Sequence, residues 1–293
     1  MSIPMNHICY QCHLRRTTEL AAPFASEQAM VDLSKELMQL YLSFPEGLSS
    51  PNLGPAAAIL LEKYAGLQPD RLRPEMDESN RFVMQRLDEI RNRIQSAEDP
   101  VYAALQFAVL GNYLDFAALQ GQVSFETLDH MLDEALLMPL DKDCYRAFCQ
   151  DLANSNKLLY LTDNAGEIAF DRLFAETLQQ ASPHLQITFC VRGAAVHNDA
   201  TREDALAVGI PFPIIDSGSN IGGTELSALG NEAKAAMDNA DLIIAKGMGN
   251  TETLAGCGYN IYYAFLIKCP RFVQYFGKPM MTPMFVREHS IEK

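Results

Sequence analysis

No apolar run in the 293-residue sequence is long and clean enough to suggest a membrane span. The most apolar stretch, residues 101–120, is interrupted by Gln106, Asn112, Asp115 and Gln120 and reads as a buried core helix. The first residues, MSIPMNHICYQCHLRR, lack the apolar centre of a signal peptide. Basic residues are few, 23 against 37 acidic ones, giving a net charge of -14. That shortage argues against a nucleic-acid backbone or an anionic membrane as partner, although one local site can still attract a small anion. The seven cysteines are odd in number and scattered, which excludes a disulfide framework and suggests free thiols in a reducing, cytoplasmic setting. Low-complexity segments and fixed-period repeats are missing, as is tryptophan, whose absence excludes nothing.

What is present is an ordinary globular composition, 48% hydrophobic, in a length that suits about two domains. The first half carries helical patterns. Residues 26–42 place Met30, Leu33, Leu37, Leu40 and Tyr41 on one face, with Ser26 as a cap. Further helices are expected over 55–65, 76–97, 101–120, 124–138 and 141–155, with no strand before about residue 157. The second half alternates short apolar runs at 157–163, 185–193, 212–216, 241–247, 261–268 and 284–288 with helical patterns at 167–181, 201–208, 224–240 and 251–256. This predicts a helical domain over 1–155 and an α/β domain over 156–293. The latter is a three-layer, doubly wound, mostly parallel sheet of Rossmann-like type. Such sheets bind ligands beyond the carboxyl ends of their strands.

Three segments at strand ends therefore matter. The first is Asp163-Asn164-Ala165-Gly166-Glu167, whose Asp and Asn offer hard oxygen ligands suited to Mg²⁺ or Mn²⁺. The second runs from Arg192 to Thr201, where Asp199 can supply a second carboxylate and Arg192 can meet an anion. The third, Lys246-Gly247-Met248-Gly249-Asn250-Thr251-Glu252, reads as a loop that could cradle phosphate, without the order of a Walker A motif. Taken singly, each has a plainer reading, since Asp or Asn before a helix is ordinarily a cap. Together they bring oxygen ligands, a cation and helix N-termini to one crevice. Gly222-Gly223-Thr224 reads as a turn. Asn112 and Asp115 lie three apart on one face of a very apolar helix, where an unpartnered carboxylate is costly. Cys9-x-x-Cys12-His13 is half of a zinc pattern with no second half, and packing explains it best.

In combination, DNAGE at 163–167, RGAAVHNDAT at 192–201 and KGMGNTETL at 246–254 resemble the metal-dependent damage-control phosphatase family, the ARMT-like domain once catalogued as domain of unknown function 89. GNYLDF at 111–116 is similar to a helical segment of that family, and an N-terminal C-x-x-C is similar to its compact prokaryotic members. Arg192 stands where many relatives have Lys, and Met248 where many have Gln.

The resemblance implies metal ligation by Asp163, Asn164 and Asp199, with Glu167 as an acidic neighbour. It implies phosphate held by Lys246 and Asn250, and a pocket contribution from Asn112 and Asp115. With Arg192 and Asn198 facing substrate, the expected activity is hydrolysis of small phosphorylated metabolites, such as sugar phosphates or damaged phosphometabolites. The cofactor would be Mn²⁺, Mg²⁺, Ni²⁺ or Co²⁺. Water oriented by Glu167 or Asp199, or a covalent intermediate on Asp163, would serve equally; Lys246 would neutralise developing charge. An S-adenosylmethionine-dependent carboxyl methyltransferase would need a glycine-rich loop after the first strand, where DNAGE offers one glycine. A non-catalytic metal- or metabolite-binding protein is the other alternative. Oligomeric state is open.

Overall fold

Local capping sets where most of the N-terminal helices begin in the computed structural model, which describes residues 2–114 and 125–291. Asn6 accepts hydrogen bonds from the Ile8 and Cys9 amides and opens α1 (His7–Ala21), a helix that the hydrophobic pattern did not disclose. Ser26 caps α2 (Glu27–Ser43) as expected, and α3 (Gly54–Ala65) follows. These three helices share a small core of Ala21, Leu33, Leu37 and Leu61.

The single helix expected over 76–97 is two, α4 (Arg73–Met84) and α5 (Leu87–Gln95). At the break the Arg86 amide bonds the Val83 carbonyl, three residues back, and the turn tightens. The bend lets Phe82 and Val83 on one side, and Leu87, Ile90 and Ile94 on the other, reach the same core. Asp99 caps α6 (Pro100–Gly111), which stops short of the expected 101–120 because Asn112 turns its side chain into tertiary contacts; a 3₁₀ turn (Asn112–Leu114) follows. The remainder of that predicted helix, and the role expected of Asp115, lie outside the described residues. Next come α7 (Phe125–Glu134) and α8 (Lys142–Asn154).

The six expected strands are present as β1 (Lys157–Leu161), β2 (Gln186–Val191), β3 (Ile214–Asp216), β4 (Leu242–Lys246), β5 (Ile261–Leu266) and β6 (Pro283–Arg287). They form one sheet in the order β3-β2-β1-β4-β5-β6, parallel except for β6. The connecting helices are α9 (Glu167–Ala181), α10 (Arg202–Ala207), α11 (Asn231–Asn239), α12 (Gly247–Leu254) and α13 (Pro270–Phe276). Two expectations need correction here. The helix placed at 224–240 is a 3₁₀ turn and the shorter α11, separated at Leu229 and Gly230. The segment after Lys246 is not a loop, because α12 starts at Gly247, directly at the strand end.

Strand alternation makes three layers. Leu158, Tyr160, Leu242 and Ile244 face a core shared with α4–α10, whereas Leu159, Leu161, Ile243 and Ala245 face one shared with α11–α13. The chain leaves β1 for a helix on the first face and β4 for a helix on the second. Neighbouring strands that send their helices to opposite faces open a crevice between them, the switch point of a doubly wound sheet. No described helix is long and apolar enough to cross a membrane.

The contact between α6 and α9 has no room for a side chain at Gly111, where a Cβ would stand 2.9 Å from Phe170 Cδ2 and 3.3 Å from Glu167 Cα. Gly111→Val is therefore expected to destabilise the protein by about 1–3 kcal/mol through overpacking. The check is the urea unfolding midpoint; an unchanged or raised midpoint would contradict the close packing.

Candidate active site

The β1 and β2 strand ends are laced to one another before any side chain contributes. The Ala200 amide donates to the Asp163 carbonyl at 2.7 Å, and the Ala165 amide to the Asn198 carbonyl at 2.9 Å. Asn164 and Asp199 form an isolated antiparallel bridge. Gly166, at φ 76°, provides the left-handed turn that leads from the first segment into α9. Asp163, Asn164 and Asp199 thus meet at the β1/β4 end of the sheet, all buried, with Asp163 8% and Asp199 6% exposed.

Their side chains are held by a shared set of donors. Asp163 Oδ2 accepts from Asn112 Nδ2 at 2.9 Å and from Asn164 Nδ2 at 2.8 Å. Those same two amides donate to Glu167 Oε2, at 2.8 Å and 3.0 Å. Asn112 Oδ1 accepts from the Leu266 amide at 3.1 Å, so this one side chain links α6 and β5 to the carboxylates. Arg192 is fully enclosed; its Nε donates to Asp199 Oδ2 at 2.6 Å, and its Nη2 stands 3.9 Å from Asp163 Oδ1. Nη2 is buried and makes no hydrogen bond among the described residues.

Lys246 lies below this layer. Its Nζ donates to Glu167 Oε1 at 2.7 Å, Asp171 Oδ1 at 2.6 Å and the Ala108 carbonyl at 2.7 Å, with no exposed surface. Burial works to lower the Lys246 pKa, yet Asp171 and Glu167 together hold it above its ordinary value. Asp171, which also accepts from Tyr160 Oη at 2.7 Å, is pushed up to about 7 by burial and by Glu167, against the pull of Lys246. The ammonium points at α6 and α9 rather than into the crevice.

Asn250 is spent internally as well. It donates to the Thr162 and Lys246 carbonyls and accepts from Arg192 Nη1 at 3.2 Å and Thr224 Oγ1 at 2.8 Å. Asn198 borders a void of about 10 Å³ between the second segment and α4, lined also by Leu72, Glu75, Met76, Ser79 and Ala165. That is room for one water, and the Asn198 Nδ2 is buried with no hydrogen-bond partner among the described residues. Cys9 and Cys12 lie on α1, and they and the other five cysteines are free thiols.

Sequence reasoning missed several residues that shape the site. Gly247 has φ 79°, and a Cβ there would sit 1.9 Å from Asp163 Oδ2, so only glycine leaves that carboxylate its place. Gly222 and Gly223, read as a turn, press against the Gly249 backbone, and a Cβ at 222 would stand 4.0 Å from Asp199 Oδ2. Asp171 and Asn80 also contact site residues or their loops, and nothing in their local pattern distinguishes them from ordinary polar positions on helices.

The donor set suits a hard divalent cation. Among the described residues no three His, Cys, Asp or Glu side chains gather as a metal-binding group by themselves. The set here is two carboxylates and an amide, whose Oδ1 is left over once Asn164 Nδ2 is committed to Asp163 and Glu167. Four buried carboxylates, Asp163, Glu167, Asp171 and Asp199, face two buried cations, Lys246 and Arg192. Among the described residues carboxylates outnumber cations four to two in a largely buried site, and a divalent cation would offset that excess of negative charge.

Comparison with known proteins agrees with this architecture. A family model described as damage-control phosphatase ARMT1-like domain matches residues 5–282. An uncharacterized protein of Methanocaldococcus jannaschii is 31% identical over 282 residues, covering 92% of this chain and 90% of its own length. Proteins named damage-control phosphatase from Pyrococcus horikoshii and Archaeoglobus fulgidus are 31% and 32% identical over 170 and 196 residues. Those matches span 58% and 66% of the two relatives and 57% and 65% of this chain. A crystal structure of a DUF89 family protein from Pyrococcus horikoshii superposes with a TM-score of 0.82 at 24% identity, covering 97% of this chain and 99% of that one, and shows the shared fold.

Removing the Lys246 ammonium would strand two buried carboxylates. Lys246→Met is expected to lower stability by about 3–5 kcal/mol in the metal-free protein, and adding Asp171→Asn is expected to recover part of the loss. Urea unfolding of the single and double variants measures both; equal stability of Lys246→Met and wild type would refute the arrangement.

Proposed function

The chain belongs to the damage-control phosphatase ARMT1-like domain family, and from that premise we propose that it is a metal-dependent phosphomonoester hydrolase acting on small phosphorylated metabolites. The observation that carries the reading is the convergence of Asp163, Asn164 and Asp199 beside Arg192, inside a cluster with more carboxylates than cations. In this reading residues 1–155 form a helical unit and 156–293 the α/β unit that binds metal and phosphate.

Asp163, Asn164 and Asp199 would hold the cation, Mn²⁺, Mg²⁺, Co²⁺ or Ni²⁺, with Asn164 using its uncommitted Oδ1. When bound, such a cation polarises a phosphoryl oxygen. Arg192 Nη2, which makes no hydrogen bond among the described residues, donates to a second phosphoryl oxygen, while its Nε stays on Asp199 and keeps the guanidinium in register. A water adds to phosphorus as the ester P–O bond breaks, and its proton ends on the departing alkoxide, giving an alcohol and inorganic phosphate. Asp199 orients that water. Asn112, Glu167, Lys246 and Asn250 act by position: Glu167 and Asn112 fix Asp163 and Asn164, Lys246 holds Glu167, and Asn250 holds Arg192. Asn198 gives its carbonyl to the lacing of the two segments. Seven free thiols suit a reducing, cytoplasmic setting.

The test is phosphate release by chelator-stripped protein from sugar phosphates and p-nitrophenyl phosphate, with each divalent cation restored in turn. Release should return with metal and fall by at least about a hundredfold in Asp163→Ala. A folded Asp163→Ala protein with full activity, or no release with any cation, would sink the reading.

A further inference from the structure

One amide on α4 hydrogen-bonds both segments that carry the candidate ligands. Asn80 is buried, with Nδ2 donating to Asp204 Oδ1 at 2.8 Å and Oδ1 accepting from the Gly166 amide at 2.6 Å. Gly166 ends the segment that carries Asp163 and Asn164. Asp204 Oδ2 accepts from the amide and the hydroxyl of Thr201, each at 2.9 Å, and so fixes the start of α10, immediately beyond Asp199. Arg73, also on α4, forks onto both Asp204 oxygens. Burial works against the Asp204 charge, and Arg73, the Thr201 amide and Asn80 outweigh it, holding the carboxyl below its usual range. The backbone is close as well, since a Cβ on Gly166 would stand 2.9 Å from Ser79 Cβ.

We propose that Asn80 is a positioning residue for the metal site: among the described residues of α4 it is the one whose side chain hydrogen-bonds both the Asp163–Asn164 segment and the Asp199 segment, and so it sets their separation. The position needs one donor and one acceptor at once, which an amide supplies and a carboxylate does not. Loss of Asn80 leaves the backbone lacing at Asp163, Ala165, Asn198 and Ala200 in place, so the fold survives. What is lost is the outer brace on two ligand-bearing segments, together with the partner of a buried Gly166 N–H. Groups that orient ligands in this way change metal affinity by about 10–100-fold when removed.

The inference uses the ligand set of the proposed function, and the experiment separates the two. Chelator-stripped wild type, Asn80→Ala, Asn80→Asp and the exchange variant Asn80→Asp/Asp204→Asn are titrated with Mn²⁺ by calorimetry, and each is assayed for p-nitrophenyl phosphate hydrolysis. Asn80→Ala should weaken Mn²⁺ binding by about tenfold or more. Asn80→Asp, which sets carboxylate against carboxylate, should weaken it further. The exchange variant restores the donor–acceptor pair between 80 and 204 but gives up one limb of the Arg73 fork on Asp204, so it should recover part of the affinity over Asn80→Asp, compared at matched urea stability. Mn²⁺ affinity in Asn80→Ala within twofold of wild type overturns the proposal, as does an exchange variant no better than Asn80→Asp. If Asn80→Ala does not fold, the comparison of Asn80→Asp with the exchange variant decides. Wild type that binds Mn²⁺ yet releases no phosphate removes the phosphatase reading and leaves the affinity comparison to judge Asn80. Wild type that binds none of Mn²⁺, Mg²⁺, Co²⁺ and Ni²⁺ overturns both.

Discussion

The ammonium of Lys246 is the interaction on which the rest of the site depends. It closes the end of β4, reaches a carbonyl of α6 and two carboxylates of α9, and has no contact with water. Three elements from distant parts of the chain are therefore fixed to one point. Charge in such a place is stable only when its partners are all present. Glu167, held from below by Lys246, holds Asn112 and Asn164 from the other oxygen, and those amides hold Asp163. The layer of Asp163 and Asn164 is thus built on the layer beneath it.

The sheet order explains why the chemistry collects here. β1 and β4 are neighbours whose following helices lie on opposite faces, so their carboxyl ends border an open crevice. The residues that fill it come from segments whose backbones are already bonded together, which makes the ligand positions a property of the fold and not of flexible side chains. Gly247 shows how little slack exists, because a single methyl group at that position would overlap the Asp163 carboxylate.

The strands were legible because period-two burial leaves a plain record in short apolar runs such as 157–161 and 242–246. Helix ends were less so. The break at Gln85–Arg86 is a local tightening of one turn, and the break after Gly111 accompanies contacts across the fold, from an Asn112 side chain that pairs with residues more than fifty positions away. At the site, Asp163, Asn164, Asp199 and Arg192 were visible as polar residues at strand ends. Lys246 and Asn250 were visible too, but their commitment to Glu167, Asp171, Thr162 and Thr224 depends on three-dimensional neighbours that spacing does not encode. Asn80 and Asp204 were hidden for the same reason, since a helical Asn and a capping Asp look ordinary until the two elements meet.

In the proposed reading a buried site with more carboxylates than cations takes one divalent cation between Asp163, Asn164 and Asp199. Calorimetric titration of the chelator-stripped protein with Mn²⁺, beside Asp163→Asn and Asp199→Asn, tests this most directly. The account predicts one cation per chain in the wild type and its loss in both variants while circular dichroism stays unchanged. Binding of undiminished affinity in either folded variant, or no binding by the wild type, would contradict it.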